Sequence, residues 1–266
     1  MQACKNLRIP FTILEEHGNF LKLEMHGKVL FFVNFNVPWN NSGTEKIARD
    51  KGYSYQLFHE QVRMPKSIAY FDPRYTDAKY EVYRKFKNIP EIVRDMCTQF
   101  AFPFVIKMNG GSRARNMFIC HDTQKVTRAL RCIFNKKSRY YDYAATAQEL
   151  IDIADEYRVI MFRGEIMLAY KKNPARVTKI KSNAKAEIVI DKKLLADLQN
   201  FVRPIYDLSS IEYTALDVAM TKQGELCLFE LNVAPGFDYF VRHNGEQPLV
   251  EMFERILEID KESPTH

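Results

Sequence analysis

Residues 226–237 read LCLFELNVAPGF, and the reading of this stretch decides the fold. Its first half is an apolar, strand-forming run interrupted by Glu230 and Asn232, two residues apart, just before a Pro235-Gly236 break. Side chains alternate faces along a strand, so Glu230 and Asn232 point one way while Phe229, Leu231 and Val233 point the other. Upstream, residues 212–221 (EYTALDVAMT) form a second β-like run, and Gly224 in the intervening KQGE favours a tight turn. A two-residue loop at Gln223-Gly224 pairs Lys222 with Glu225, and counting back along both strands sets Asp217 opposite Glu230. That register gathers Asp217, Glu230 and Asn232 on one face, whereas a slip of one residue turns Asp217 to the other. Three oxygen side chains without His or Cys suit Mg2+ or Mn2+ better than zinc. Mg2+ leans on substrate phosphates, which makes a nucleotide the expected partner. A solvated strand face with a polar end accounts for the same residues, and at this point both readings stand.

The rest of the chain narrows the class. Its 266 residues are enough to bury a sizeable core, and 46% hydrophobic with 27% charged residues is the balance of a soluble globular protein. No run reaches the apolar length of a membrane span, and the opening MQACKNLRIPF lacks the basic-then-apolar order of a signal peptide, so a cytoplasmic location and no membrane partner are expected. The five scattered cysteines read as reduced thiols, and no His or Cys spacing marks a zinc site. The net charge of +6 is uneven: Arg113, Arg115, Lys125, Arg128, Arg131, Lys136, Lys137 and Arg139 crowd one stretch, and Lys171 to Lys193 holds another. Such stretches bind nucleic acid, phosphates or an acidic substrate, or are the solvated face of a helix that buries Val126, Leu130 and Ile133.

Periodicity places the elements. FLKLEMHGKVLFFVNF (20–35) alternates around His-Gly and reads as a hairpin. Ser42 or Thr44 is expected to cap a helix through EKIARDKG, with further helix in YSYQLFHEQ. Pro90 opens a helix in PEIVRDMCTQFA; strands at 102–108 and 117–122 flank NGGSRARN, and a helix covers 123–137. From Ala145 strands dominate: AQELIDI, EYRVIMF, a tight RGE turn, and IMLAYKK. A helix around KKLLADLQNFV precedes the Asp217 hairpin, and QPLVEMFERILEI closes the chain as an amphipathic helix. Helices mixed with antiparallel strands, without regular βαβ units, indicate an α+β chain of two lobes meeting near residues 143–148.

One further stretch carries chemistry. In FPFVIKMNGGSRARNMF, Lys107 ends a buried strand and Gly110 and Gly111 free the loop that follows, so its backbone N–H groups can approach phosphate oxygens. It is not a Walker motif, because the loop leads to a strand and the Gly-Lys-Ser/Thr ending is missing. Taken in order, ARDK, PFVIKMNGGS, QELI with EYRV, and LDV with FELNVAPGF resemble the ATP-grasp superfamily, closest to carboxylate-amine ligases of the ribosomal-protein glutamate ligase, cyanophycin synthetase and glutathione synthetase type. The resemblance spans residues 45–238 and lies in the order of the pieces and in ELNVAPGF.

The resemblance implies an ATP-grasp fold: two α+β lobes clasping ATP, at 44–147 and 148–266, behind a short N-terminal β-hairpin region at 1–43. By the same resemblance Lys51 and Lys107 reach ATP phosphates, Gly110, Gly111 and Ser112 form the flap over them, and Gln148, Glu149, Leu150 and Ile151 form the adenine hinge. Asp155 stands at the ribose, Arg158 beside an acyl phosphate, and Lys181 and Asn183 near the phosphates and metal. Asp217, Glu230 and Asn232 become ligands of two Mg2+ or Mn2+ ions. The implied activity is ATP-dependent amide or peptide bond formation through an acyl phosphate, on an amino acid or peptide, with the positive charge favouring an acidic one.

Some features depart from the family pattern. Arg113, Ala114, Arg115 and Asn116 stand where these ligases place more flap glycine, which stiffens the loop and makes its closure partly charge-driven. The glycines that follow Asn183 in relatives are missing. Only 50 residues precede Lys51, where relatives carry a further domain, so either the hairpin, a second subunit or a partner protein is expected to take its place, or the site is unusually open. Three other readings remain at this stage: an ATP-grasp kinase, a non-catalytic ATP-binding protein, and a basic nucleic-acid-binding protein, the last disfavoured by the motif order.

Overall fold

The computed structural model describes residues 1–25, 27–110, 116–172 and 186–262. The chain divides into two compact units, one formed by Met1–Lys46 with Ile153–His266, the other by Ile47–Asp152. Helix α1 (Gln2–Asn6) leads into β1 (Phe11–Ile13), β2 (Phe20–Met25) and β3 (Lys28–Val33), an antiparallel sheet in the order β1-β2-β3. The expected hairpin is β2–β3, with Phe20 opposite Val33 and Met25 opposite Lys28. A third strand extends it: β1 sets Phe11 opposite Leu23, and its three residues after Pro10 are too few to show alternation. Ala3, Cys4, Leu23, Met25 and Leu257 make the core beneath this sheet.

Helix α2 (Ser42–Arg49) is capped by Asn41 rather than by Ser42 or Thr44: the Thr44 N–H donates to Asn41 Oδ1 at 2.9 Å. It also stops before the expected end. Asp50 is extended, and its carboxylate accepts from the Gly52 and Tyr53 N–H groups, so a new helix, α3 (Lys51–Phe58), begins at Lys51. The Asp50 cap thus fixes Lys51 at the first turn of α3.

The Ile47–Asp152 unit continues with β4 (Ser67–Phe71), a 3-10 helix (Ala78–Tyr83), α4 (Ile89–Gln99), β5 (Phe104–Met108), β6 (Phe118–Cys120), α5 (Thr123–Ile133) and β7 (Ala144–Glu149). Its antiparallel sheet runs β4-β7-β5-β6. Ile92 and Met96 of α4 and Val126, Leu130 and Ile133 of α5 pack on Phe104, Ile106, Ala145 and Ala147. Each buried Ile, Leu, Val, Met or Phe side chain here contributes about 1.5–3 kcal/mol. Helix α5 ends four residues before the expected Lys137, because Phe134 leaves the helical path and is fully buried. Strand β7 likewise stops at Glu149, so residues 150–152 form a separate connection.

The other unit resumes with β8 (Ile153–Phe162), β9 (Glu165–Lys172), β10 (Glu187–Ile188), α6 (Lys192–Ser209), β11 (Tyr213–Thr221), β12 (Leu226–Asn232), α7 (Asp238–Asn244) and α8 (Gln247–Glu262). The sheet order is β10-β9-β8-β11-β12. Phe162 pairs with Glu165 across a two-residue turn in which Arg163 and Gly164 both have positive φ, the geometry whose twist suits a hairpin. Arg163 is held there by Glu212 and Asp260. Ile160, Phe162, Leu168, Tyr213 and Ala215 pack against Phe240, Met252 and Ile256. Among the described residues no helix is long and apolar enough to cross a membrane.

The β11–β12 hairpin reaches its expected pairing by an unexpected route. Thr221 faces Glu225 across a three-residue loop, with Gly224 at φ +82°, and near this turn the register lies one residue from that expected: Met220 meets Leu226 and Val218 meets Leu228. A bulge then leaves Phe229 without a partner and sets Asp217 opposite Glu230. The longer loop and the extra residue compensate one another.

Candidate active-site residues

In the Ile47–Asp152 unit, β5 and β7 bring Lys107 and Gln148 together. Lys107 Nζ donates to Gln148 Oε1 at 2.8 Å, and Gln148 Nε2 donates to Ser67 Oγ at 2.9 Å on β4. Gln148 is 5% exposed, so its amide is held on both sides and in turn fixes the lysine head. Lys51 Nζ donates to the Asn109 carbonyl at 3.2 Å. Asn109 Oδ1 accepts from the Gly52 N–H at 3.2 Å and from Thr146 Oγ1 at 3.0 Å, tying the start of α3 to the end of β5. The Gly110 N–H donates to Asp142 Oδ2 at 2.9 Å, and Asp142 Oδ1 accepts from the Ala144 N–H at 3.0 Å. The root of the glycine loop is therefore anchored to the strand that carries Gln148.

The expected hinge follows directly. The Glu149 N–H donates to the Lys66 carbonyl at 2.9 Å, and the Lys66 N–H donates to Glu149 Oε2 at 3.2 Å. Leu150 is 38% exposed and Ile151 is half-buried, in the connection between β7 and β8. Gly111, Ser112, Lys181 and Asn183 lie outside the described residues.

In the other unit one rung crosses four strands: Tyr170 on β9, Arg158 on β8, Asp217 on β11 and Glu230 on β12 are successive cross-strand partners. They share one face. Asn232 belongs to the next rung, opposite Ala215, and its Oδ1 accepts from the Ala234 N–H at 3.0 Å. Arg158 grips Asp217 bidentately, Nε to Oδ1 at 2.5 Å and Nη2 to Oδ2 at 3.2 Å. Lys172 Nζ lies 2.8 Å from Asp217 Oδ2 and also pairs with Glu156. These three side chains are only 12–15% exposed.

Burial alone would raise the Asp217 carboxyl, but Arg158 and Lys172 outweigh it and hold the group below its usual range. Burial likewise works against the charge on Arg158, and Asp217, with Tyr170 and Glu230, more than restores it. Asp155, expected at the ribose, is three residues from Arg158 and so stands on the opposite face, where it pairs with Lys171 at 2.6 Å and accepts from the Tyr157 hydroxyl at 3.4 Å.

Asp217, Glu230 and Asn232 offer two carboxylates and one amide oxygen, a donor set that fits a hard divalent ion. Among the described residues no cluster of three or more His, Cys, Asp or Glu side chains is placed to hold a metal, so these donors would rely on phosphate oxygens and water to complete a shell. Lys172, Glu156, Asn109 and Asp142 join the sequence-predicted residues through these contacts. Lys172 and Glu156 sit at the even spacing from Tyr170 and Arg158 that marks a common face, and Asn109 directly precedes the glycine pair.

Comparison with solved structures finds this fold in several other chains. VanG D-Ala:D-Ser ligase from Enterococcus faecalis is similar at a TM-score of 0.59 and 15% identity, over 81% of this chain and 62% of that one. D-alanine–D-alanine ligase from Bacillus anthracis, complexed with ATP, is similar at 0.54 and 17%, over 84% of this chain and 69% of that one. ATP-grasp ligase PsnB, complexed with precursor peptide PsnA2 and AMPPNP, is similar at 0.52 and 15%, over 81% of this chain and 62% of that one. The chain thus spans less than two thirds of the PsnB chain. No curated protein matches the sequence. The chain belongs to the RimK-like ATP-grasp domain family, whose model matches residues 48–256.

Proposed function

We propose that the protein is an ATP-dependent carboxylate-amine ligase that forms an amide or peptide bond on an amino acid or peptide. The observation that carries this reading is the rung of Arg158, Asp217 and Glu230, with Asn232 beside it, in a chain of the RimK-like ATP-grasp family. In this reading Asp217, Glu230 and Asn232 hold Mg2+, which when bound shields the charge of the ATP phosphates. Lys107 and Lys51 neutralise phosphate oxygens, and their anchors on Gln148 and Asn109 set where those charges stand. Residues 148–151 supply the hinge for adenine. The substrate carboxylate attacks the γ-phosphorus, ADP leaves, and an acyl phosphate forms. The amine then attacks the carbonyl carbon, phosphate departs with the carboxylate's oxygen, and Arg158 stabilises the developing oxyanion.

No side-chain nucleophile is needed. Neighbours of this fold include D-alanine ligases and a PsnB complex with its precursor peptide, which supports amino acids and peptides as the substrate class. The positive balance of the chain favours acidic members of that class. The test is ADP release with ATP, Mg2+ and a panel of amino acids and acidic peptides, with hydroxylamine added to trap the acyl phosphate as a hydroxamate. The reading expects hydroxamate with at least one carboxylate substrate; ADP release that never yields hydroxamate or amide would overturn it.

A further inference from the structure

We propose that the Ile47–Asp152 unit carries a binding pocket for a compact, multiply charged anion, a phosphate ester or a small polycarboxylate, at the C-terminal end of α5. The pocket, about 340 Å³, is lined by Arg74, Arg131, Phe134, Asn135, Lys136 and Lys137. Four of these six residues are cations and none is acidic. None belongs to the residues assigned above to ATP or metal. Asp72, fully buried beneath Arg74, is engaged by the Arg74 N–H and Nε at 3.0 and 3.1 Å. With Arg74 paired to Asp72, the cations Arg131, Lys136 and Lys137 leave the lining net positive.

All four cations are exposed, and two of them, Arg74 and Lys136, are also held in place. Arg74 Nη2 donates to the Phe134 carbonyl at 2.5 Å, joining the loop after β4 to the end of α5. Lys136 Nζ donates to the Arg74 carbonyl at 3.2 Å and lies 5.5 Å from the centre of the Tyr75 ring. Neither Arg131 nor Lys137 has a carboxylate partner among the described residues. A basic residue in the last turn of a helix is ordinary, because the terminal carbonyls favour it. That explains Arg131. Arg74, from a loop far earlier in the chain, reaches the same helix end through the Phe134 carbonyl and Asp72, which brings a further cation to the pocket. Cations converging on one small pocket suit a compact polyanion; a nucleic-acid strand needs them spread along a track.

The experiment is calorimetric titration of the full chain with pyrophosphate and, separately, citrate, which distinguishes the phosphate and carboxylate sources. At least one is expected to bind in low salt, with affinity reduced about five- to thirtyfold in Arg131→Ala, Lys137→Ala. Arg131→Glu, Lys137→Glu should abolish the binding that depends on these two residues, whereas Lys107→Met, which alters only the phosphate site proposed for ATP, should leave that part unchanged. Circular dichroism of each variant verifies the fold. Absence of binding by both anions, binding indifferent to the paired variants, or binding lost in Lys107→Met would overturn the proposal. So would a single-stranded oligonucleotide that binds more tightly than either anion through the same two residues.

Discussion

Asp217→Asn isolates the structural work of this carboxylate from its proposed role as a metal ligand. The substitution keeps shape but strands Arg158 and Lys172, both nearly buried, without their shared counter-ion. Breaking a buried pair costs about 3–5 kcal/mol. Glu156 still pairs with Lys172 and some water reaches each group, which reduces the expected loss to about 2–3 kcal/mol. For a chain of this size that is roughly 5–10 °C in thermal midpoint. The assay is thermal unfolding at pH 7 without divalent ions. Adding Lys172→Met removes one stranded cation and should recover about half of the loss, a coupling visible only in the double-mutant cycle. The pH dependence has a definite sign. Because the folded carboxyl lies below its ordinary 3.8, its contribution is fully present above that value and is lost as pH falls through the folded one. The gap between wild type and Asp217→Asn should therefore close in acid. An unchanged midpoint at pH 7, or strictly additive losses in the cycle, would refute the reasoning.

Three further outcomes follow from named contacts. Lys107→Met should weaken ATP binding by about tenfold or more, read by calorimetry, and cost about 1–2 kcal/mol of stability because Gln148 loses its donor. Gly224→Ala meets nothing nearby, so its cost in chemical denaturation should be the positive-φ strain alone, about 1 kcal/mol. Gly164→Ala carries the same strain, yet its Cβ would lie 3.0 Å from Tyr206 and 3.2 Å from Arg203, so it should cost measurably more.

The features that sequence made legible are those set by local alternation and by motif order. Two strands joined near Gly224 were enough to bring Asp217 to Glu230, although the loop length behind that count was one residue short and a bulge at Phe229 made up the difference. Bulges have no dependable signal in a single sequence, because they answer to cross-strand packing. Asp155 shows the opposite case. Its odd spacing from Arg158 already sets the two on opposite faces of the sheet, and that parity is readable from the sequence alone. Helix caps were visible as residue types, but the choice among Asn41, Ser42 and Thr44 depended on which backbone was extended. Lys172 was hidden because its partner lies two strands away, and only the sheet order brings β9 and β11 to either side of β8.

The proposed reaction activates a substrate carboxylate by phosphorylation and then passes its acyl group to an amine. It is tested most directly with ATP, Mg2+ and a substrate labelled with 18O in its carboxylate, analysing the released phosphate by mass spectrometry. Ligation predicts one labelled oxygen in each phosphate together with an amide product. Unlabelled phosphate, or a stable phosphorylated product with no amide, would contradict it.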